Sequence, residues 1–251
     1  MDRMVEGKVV LITGAGSGIG QAGAAIFATQ GAAHIYVVDT NAEGGAETVE
    51  HVEAAGGAAT FVAVDVTDEQ AVAGLIERIV AEQGRLDAAW NNAGINAQSA
   101  PFHELDLAGW QRMLLVNLTS VFLCMKYELV QMLAQGGGSI VNTSSGAGQV
   151  AAPGLPHYTA AKHGVLGITK VAASEYNRQG IRVNAICPGT VDTPMFRRSM
   201  TPEAITRLVS NTPVGRLAEA SEIADIALWL CDDAPGFLTG QAIAVDGGVG
   251  A

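Results

Sequence analysis

Short β-branched stretches alternate along this chain with longer Ala/Glu/Leu-rich stretches of helical spacing, and that alternation leaves few folds open. The extended stretches are Lys8–Thr13, His34–Asp39, Ala59–Val64, Leu86–Trp90, Ser139–Thr143, Arg182–Cys187 and Ala242–Val245. Between them, Gln21–Gln30, Glu43–Ala55, Glu69–Gln83 and Glu219–Cys231 repeat apolar residues at helical intervals. The extended stretches are apolar throughout rather than alternating, as a parallel sheet covered on both faces requires. The expected fold is therefore α/β, a single domain over residues 1–251 with a doubly wound parallel sheet of about seven strands and helices on both faces. A TIM barrel would need eight strand–helix repeats. The 31 glycines punctuate the apolar runs and are not massed into a linker.

Charge narrows the partners. With 14 basic and 25 acidic residues the formal charge is −11, and no basic cluster interrupts it. A surface that tracks phosphates or anionic lipid is not expected, so no nucleic-acid and no membrane partner. Cys124, Cys187 and Cys231 are widely spaced and odd in number, which reads as reduced thiols and a cytoplasmic location. Met1 to Lys8 carries charges of both signs and does not read as a signal peptide, and no unbroken run near 18 apolar residues occurs.

Two helical stretches, Leu107–Leu133 and Pro156–Arg178, carry apolar residues around most of their circumference. An outer helix of a three-layer sandwich meets the sheet on one side only, so the other side is expected to meet a second subunit, the alternative being a covering loop of the same chain.

The first strand runs into Gly14-Ala-Gly-Ser-Gly-Ile-Gly20, and a helix follows. Glycines at this junction let the backbone approach a pyrophosphate, whose charge meets free N–H groups at the helix N-terminus. GxGxxG occurs at Gly18, Gly20 and Gly23 but begins too far past the strand; TGxxxGxG from Thr13 fits its end. No Lys follows the glycines, which excludes a triphosphate P-loop. Asp39 ends the second strand, where a carboxylate accepts the ribose hydroxyls of adenosine and repels a 2′-phosphate. The cofactor expected is NAD. Asp65-Val66 ends the third strand, where an acid either reaches an adenine amino group or merely ends the strand.

Tyr158 and Lys162 stand four apart on one helical face. A free phenol, with pKa about 10, is a poor base at neutral pH. An ammonium about 5 Å away at an effective dielectric near 20 favours phenolate by ~3 kcal/mol, which is expected to bring Tyr158 toward the general-base range.

With these residues in place the chain resembles the classical short-chain dehydrogenase/reductase family, in its NAD-preferring branch. The likeness spans nearly the whole sequence and rests on TGAGSGIG at 13–20, NNAG at 91–94, NTSSGAG at 142–148, YTAAK at 158–162 and PGTVDT at 188–193. It implies a Rossmann-type fold and an NAD-dependent oxidoreductase that interconverts a secondary alcohol and a ketone by hydride transfer. Ser145 would polarise the substrate oxygen, with Ser144 the alternative; Tyr158 would act as general acid/base; Lys162 would lower its pKa and hold the nicotinamide ribose; Asn117 would hold a helix kink and water. The cofactor would be bound by Gly14, Ser17, Gly18, Ile19, Gly20, Asp39, Asp65, Val66, Asn92, Ala93, Gly94, Tyr158, Lys162, Pro188, Gly189, Val191 and Thr193. Asn92 is expected on the adenosine ribose and Asn91 as a brace for the strand. The resemblance also implies a homotetramer built through the two apolar helices.

The histidines at 34, 51, 103, 157 and 163 lack HxxxH or HExxH spacing, so no metal is expected. His157 and His163 flank the Tyr–Lys pair, either at the mouth of the site or packed away from it. No GxSxG elbow makes Ser145 a hydrolase nucleophile. A lid over about 190–213, with Met195, Phe196 and Met200, together with Gly94–Phe102 and Gln149–His157, would line the substrate pocket. Its apolar character favours a hydrophobic or alicyclic alcohol, such as a dihydrodiol. Arg197 and Arg198 are either solvated charges on the lid or contacts for an acidic substrate. Alternatives are a 3-oxoacyl-type reductase of the same family, a nicotinamide-binding scaffold without turnover, and a methyltransferase, which would have no use for the Tyr–Lys pair.

Overall fold

Each strand divides its side chains between two cores, and that division builds the molecule. The computed structural model describes residues 3–233 and 235–250; the first two residues of the Met1–Lys8 segment lie outside them. Strands β1 (Val9–Thr13), β2 (His34–Asp39), β3 (Ala59–Ala63), β4 (Ala88–Asn91), β5 (Gly138–Thr143), β6 (Ile181–Pro188) and β7 (Ala242–Val245) form one parallel sheet. Their order is β3-β2-β1-β4-β5-β6-β7. Val10, Ile12, Ile35, Val37 and Trp90 face helices α1 (Gly18–Thr29), α2 (Ala42–Ala54) and α9 (Ala220–Cys231). Val9, Leu11, Tyr36, Val38 and Ile140 face α3 (Glu69–Gln83), α5 (Ser120–Gln135) and α6 (Pro156–Tyr176). Period-two alternation between two buried faces is why the strands read as continuous apolar runs.

The predicted elements shift by a few residues at their ends. The first helix starts at Gly18, inside the glycine run, and the predicted Pro156–Arg178 helix ends at Tyr176 with a 3₁₀ turn over Asn177–Gln179. A larger difference falls on Leu107–Leu133. α4 (Leu107–Leu114) passes into a π turn over Leu115–Thr119 before α5 begins, so the expected single α-helix is interrupted at Asn117. The combined stretch Leu107–Gln135 is by length and mean hydropathy (1.5) apolar enough to cross a membrane. Half of its most apolar window is buried in the fold, against the sheet and neighbouring helices, as in a core helix. The lid region folds into two short helices, α7 (Pro194–Ser199) and α8 (Pro202–Asn211), begun by Thr193 and Thr201, whose side chains accept from Phe196 N and Ala204 N.

The order reverses between β1 and β4, and the crevice at such a switch point opens at the carboxyl ends of the strands. Gly23, in the GxGxxG string that starts too late to follow the strand, has a packing role here. A Cβ on it would stand 2.3 Å from Trp90 Cζ3, so only a glycine lets α1 lie on β4. Gly23→Ala should lower unfolding stability by about 1–3 kcal/mol through overpacking, measured by urea denaturation.

Candidate active site

α1 sits at the bottom of the crevice with its first turn open. Its cap residue, Ser17, makes no side-chain bond to the helix, and the first turn holds no acid. α2 and α3, by contrast, are closed by Asn41 on Gly44 N and by Asp68 on Gln70 N and Ala71 N. Free N–H groups with no competing anion are what a phosphate needs. The loop before them is drawn tight. Cβ atoms on Gly14 and Gly20 would stand 2.7 Å from Ala93 Cα and 2.5 Å from the Gly14 carbonyl, so both positions are closed to side chains. Asp39 supports the loop from the side, its Oδ2 accepting from Gly16 N and its Oδ1 from Asn41 N, both at 2.9 Å.

Across the crevice, Thr13 ties β1 to the Asn91–Gly94 turn, its hydroxyl accepting from Asn92 N at 3.0 Å and Ala93 N at 3.1 Å. Asn92 Nδ2 donates to the carbonyls of Thr13 and Gly14, so its amide is spent on the phosphate loop rather than held free for a ribose. Asn91 braces the strand, donating to Asn142 Oδ1 at 3.1 Å and to Glu128.

Asn117 is buried inside the π turn. Its amide bonds both ways with Ile95, accepting from the N–H and donating to the carbonyl at 3.2 Å. The extra residue of the turn is thus held against the Gly94–Ile95 segment. Lys162 is buried, and its Nζ donates to the Thr143 carbonyl at 2.9 Å and lies 5.7 Å from the Tyr158 ring centroid. Ser144 is buried and donates to the Lys162 carbonyl at 2.8 Å, whereas the Ser145 hydroxyl accepts from Ala147 N and lines the cleft.

These groups line one cleft of about 470 Å³. Among the expected catalytic and cofactor-binding residues, Gly20, Asp65, Val66 and Ala93 are the ones that do not line it. Asp65 Oδ1 accepts from both Thr67 N and Thr67 Oγ1, and Val66 is buried among core side chains of α3 and β2. The cleft also takes in Ile95, Leu155, Met195, Phe196, Met200 and Leu208, an apolar wall on the lid side. Sequence reading missed Leu155 and Leu208 as individual residues. It also missed the Thr143 carbonyl, which no side-chain pattern signals. Asn96 Nδ2 donates to Ser199 Oγ at 2.9 Å and so pins the first lid helix to the loop after β4.

The flanking residues resolve as well. Arg197 is held in a two-point pair with Asp192, both contacts 2.6 Å, and is spent on the lid itself. Arg198 is exposed. His157 is buried, and its Nδ1 finds no partner among the described residues; His163 is exposed and bonds the Thr159 carbonyl. A second depression, of about 460 Å³, opens at the amino ends of the strands. There Lys8 pairs with Asp233 and Arg85 with Asp87, and Arg182 donates to the Leu230 and Asp232 carbonyls, so its cations are already engaged.

The electrostatics depart from the expectation of a phenol made acidic by its neighbour. Burial pushes the Tyr158 phenol above its ordinary value, with the Ser145 hydroxyl pulling the other way. The same burial pushes the Lys162 ammonium down to about 8, opposed by Cys187. A desolvated pair penalises both charges, and here that outweighs the attraction inferred from the four-residue spacing.

The comparisons with known proteins agree with this architecture. Residues 14–250 match a family model described as enoyl-(acyl carrier protein) reductase. The chain is 43% identical over 247 residues, 97% of each protein, to 2,5-dichloro-2,5-cyclohexadiene-1,4-diol dehydrogenase of Sphingobium indicum. It is 44% identical over 241 residues, 96% of each, to cis-4-hydroxycyclohexanecarboxylate dehydrogenase of Sinomonas cyclohexanicum. The solved structure of carveol dehydrogenase from Mycobacterium avium in complex with NAD superposes with a TM-score of 0.92 at 33% identity, covering 98% of both chains. The chain belongs to the classical short-chain dehydrogenase/reductase family. It is an oxidoreductase of alcohols and ketones that uses a nicotinamide cofactor.

Gly94 offers a test of the geometry around Asn117, since a Cβ there would stand 2.7 Å from Asn117 Oδ1. Gly94→Ala should displace that amide and lower kcat at least tenfold while the far-ultraviolet circular dichroism stays unchanged.

Proposed function

We propose that this enzyme is an NAD-dependent dehydrogenase of alicyclic secondary alcohols, working as a single domain with the lid over about 190–213 closing on the substrate. The observation that carries the reading is one cleft lined by a phenol, a hydroxyl and a buried ammonium near an apolar wall, with a glycine loop and Asp39 along the same opening. Gly14, Ser17, Gly18, Ile19 and Gly20 would hold the pyrophosphate at the open end of α1. Asp39 would take the adenosine ribose, and Asp65 and Val66 the adenine. Asn92, Ala93 and Gly94 would wall the crevice, Asn92 through the loop carbonyls it holds. Pro188, Gly189, Val191 and Thr193 would position the carboxamide.

A bound nicotinamide supplies hydride transfer at its ring carbon, and the chain supplies everything around it. Ser145 donates a hydrogen bond to the substrate oxygen, while Ser144, already committed to the Lys162 carbonyl, is not free to do so. Tyr158 takes the hydroxyl proton in oxidation and returns it in reduction. Lys162 holds the ribose and carries the positive charge that phenolate requires. Asn117 keeps the π turn, and with it the floor of the site, in place. The lining of Ile95, Leu155, Met195, Phe196, Met200 and Leu208 suits a ring of carbons better than a phosphate or sugar. The names of the two relatives, both dehydrogenases of substituted six-membered carbocycles, support that class.

Cofactor choice follows from charge. The Asp39 carboxylate and a 2′-phosphate about 5 Å apart, at an effective dielectric near 20, repel by ~3 kcal/mol, roughly a hundredfold. Thermal shift with NADH against NADPH should show stabilisation by the first alone at equal concentration. A larger shift with NADPH overturns the assignment.

Tyr158→Phe should cut kcat by about 10²- to 10⁴-fold or more with cofactor affinity retained; a variant keeping most of its turnover would reassign the base. The phenol lies above its ordinary value, so the reactive phenolate grows with pH across the neutral range. Oxidation kcat/KM should therefore climb with pH and bend over above about 8, where Lys162 loses its charge. Reduction, which needs the protonated phenol, should stay flat over the same interval, because the phenol remains protonated throughout it.

A stripe of exposed apolar residues, Leu115, Phe122, Val130 and Leu133, runs along the π turn and α5, and Val171 is exposed on α6. This supports a homo-oligomer, which we read as a tetramer, assembled through these helices. Phe122→Asp with Val130→Asp should lower the mass seen by sedimentation velocity; an unchanged mass would remove this face from the interface.

A further inference from the structure

Glu128, on α5, is fully buried, and among the described residues no cation is paired with it. Its Oε2 accepts from Asn91 Nδ2 at 3.0 Å, while its Oε1 finds no partner among the described residues. Asn91 repeats the pattern: Nδ2 serves Glu128 and Asn142, and Oδ1 finds no partner among the described residues. The two orphaned oxygens therefore belong to two side chains already joined at their other ends. Two buried acceptors without a donor are costly, and a carboxylate would add an unpaired charge. One proton removes both deficits, because a carboxylic acid donates where a carboxylate cannot.

We propose that Glu128 is a neutral carboxylic acid in the folded enzyme. Its Oε1–H donates to Asn91 Oδ1 and closes a two-point acid–amide ring, which positions the Asn91–Gly94 turn that supports the cofactor loop. Asn91 leads directly into Asn92, whose amide holds the Thr13 and Gly14 carbonyls, so the ring anchors β4 to α5 one residue from the loop. The surroundings match a neutral group. β5 presents Asn142, and α6 presents Thr169, which accepts from Asn142 Nδ2 at 2.9 Å and donates to the Val165 carbonyl. On its own helix the ionisable neighbour is the Cys124 thiol, itself raised well above its usual value by burial. From α3, Glu69 is engaged on the outer side with Lys126 and Tyr127. Burial pushes the Glu128 carboxyl up to about 8.

A proton kept by the native state and shed by the unfolded chain makes stability fall as pH rises between the two pKa values. The folding constant then drops tenfold for each pH unit. Glu128→Gln offers Asn91 the same two-point ring without a proton. Urea unfolding should find wild type and E128Q equally stable near pH ~5, with the variant gaining about tenfold in folding constant per unit up to pH ~8. A difference independent of pH, or E128Q weaker at neutral pH, overturns the proposal. The wild-type enzyme should also show the infrared carbonyl stretch of a protonated acid at neutral pH, absent in E128Q; finding only carboxylate bands overturns it too. For the positioning role, E128L should raise KM for NAD several-fold with less effect on kcat, and E128Q should restore it. An unchanged KM in E128L removes Glu128 from that role.

Discussion

The candidate site is organised around one buried ammonium. Among the described residues no acid pairs with Lys162; its Nζ is held by the carbonyl of Thr143, the last residue of β5. A backbone acceptor leaves the charge uncompensated, and desolvation works against it throughout. That is an expensive way to place a cation. It is also the way to keep one reactive, since a paired lysine would spend its field on its partner. The strand end, the Ser144 bond to the Lys162 carbonyl and the glycine at 148 all crowd this point. A Cβ on Gly148 would stand 2.3 Å from Ser144 Oγ and 2.8 Å from the Lys162 carbonyl oxygen. The SSGAG segment is small because the helix carrying Tyr158 and Lys162 must lie against it.

Much of this was legible in the sequence because it is local. The strand–helix alternation, the glycine run after β1 and the four-residue spacing of Tyr158 and Lys162 each follow from one short segment, and the structure carries all three. What was not legible depends on segments far apart in the chain. The resemblance implied a kink at Asn117, but the apolar helical pattern around the π turn over Leu115–Thr119 does not name what Asn117 bonds there, the Ile95 backbone. Nothing in residues 107–133 announces that partner. Gly23 is explained by Trp90, 67 positions away. The preference for Ser145 over Ser144 in NTSSGAG has a physical counterpart that the sequence does not show, the Lys162 carbonyl that occupies the Ser144 hydroxyl.

The direction of the Tyr158 shift is the most instructive difference. Spacing along a helix fixes how near a cation stands, but not how much water has been removed from both partners. The local arithmetic counted the attraction and left out the desolvation of the phenolate. In the folded chain desolvation is the larger effect, for Tyr158 and for Lys162 alike. The protein alone therefore holds a phenol that resists ionising beside an ammonium that is ready to discharge. A further positive charge, brought next to the phenol, is needed to tip the pair. An oxidised nicotinamide ring carries such a charge.

On the proposed reading the acid/base group is conditional on its cofactor, and the rest of the cleft would suit that. The open first turn of α1 is where the dinucleotide's negative end would be held, and Asp39, bonded to Gly16 and Asn41 on the same loop, keeps that loop shaped for it. The lid lies over the other end, with Asn96 bonded to Ser199 across the gap. Without cofactor, a phenol kept protonated by burial cannot take a proton from an alcohol that enters first. With cofactor in place, the same burial that raised the phenol's pKa strengthens every field acting on it, because little water remains to screen them. On that reading, burial keeps Tyr158 protonated until a further positive charge stands beside it.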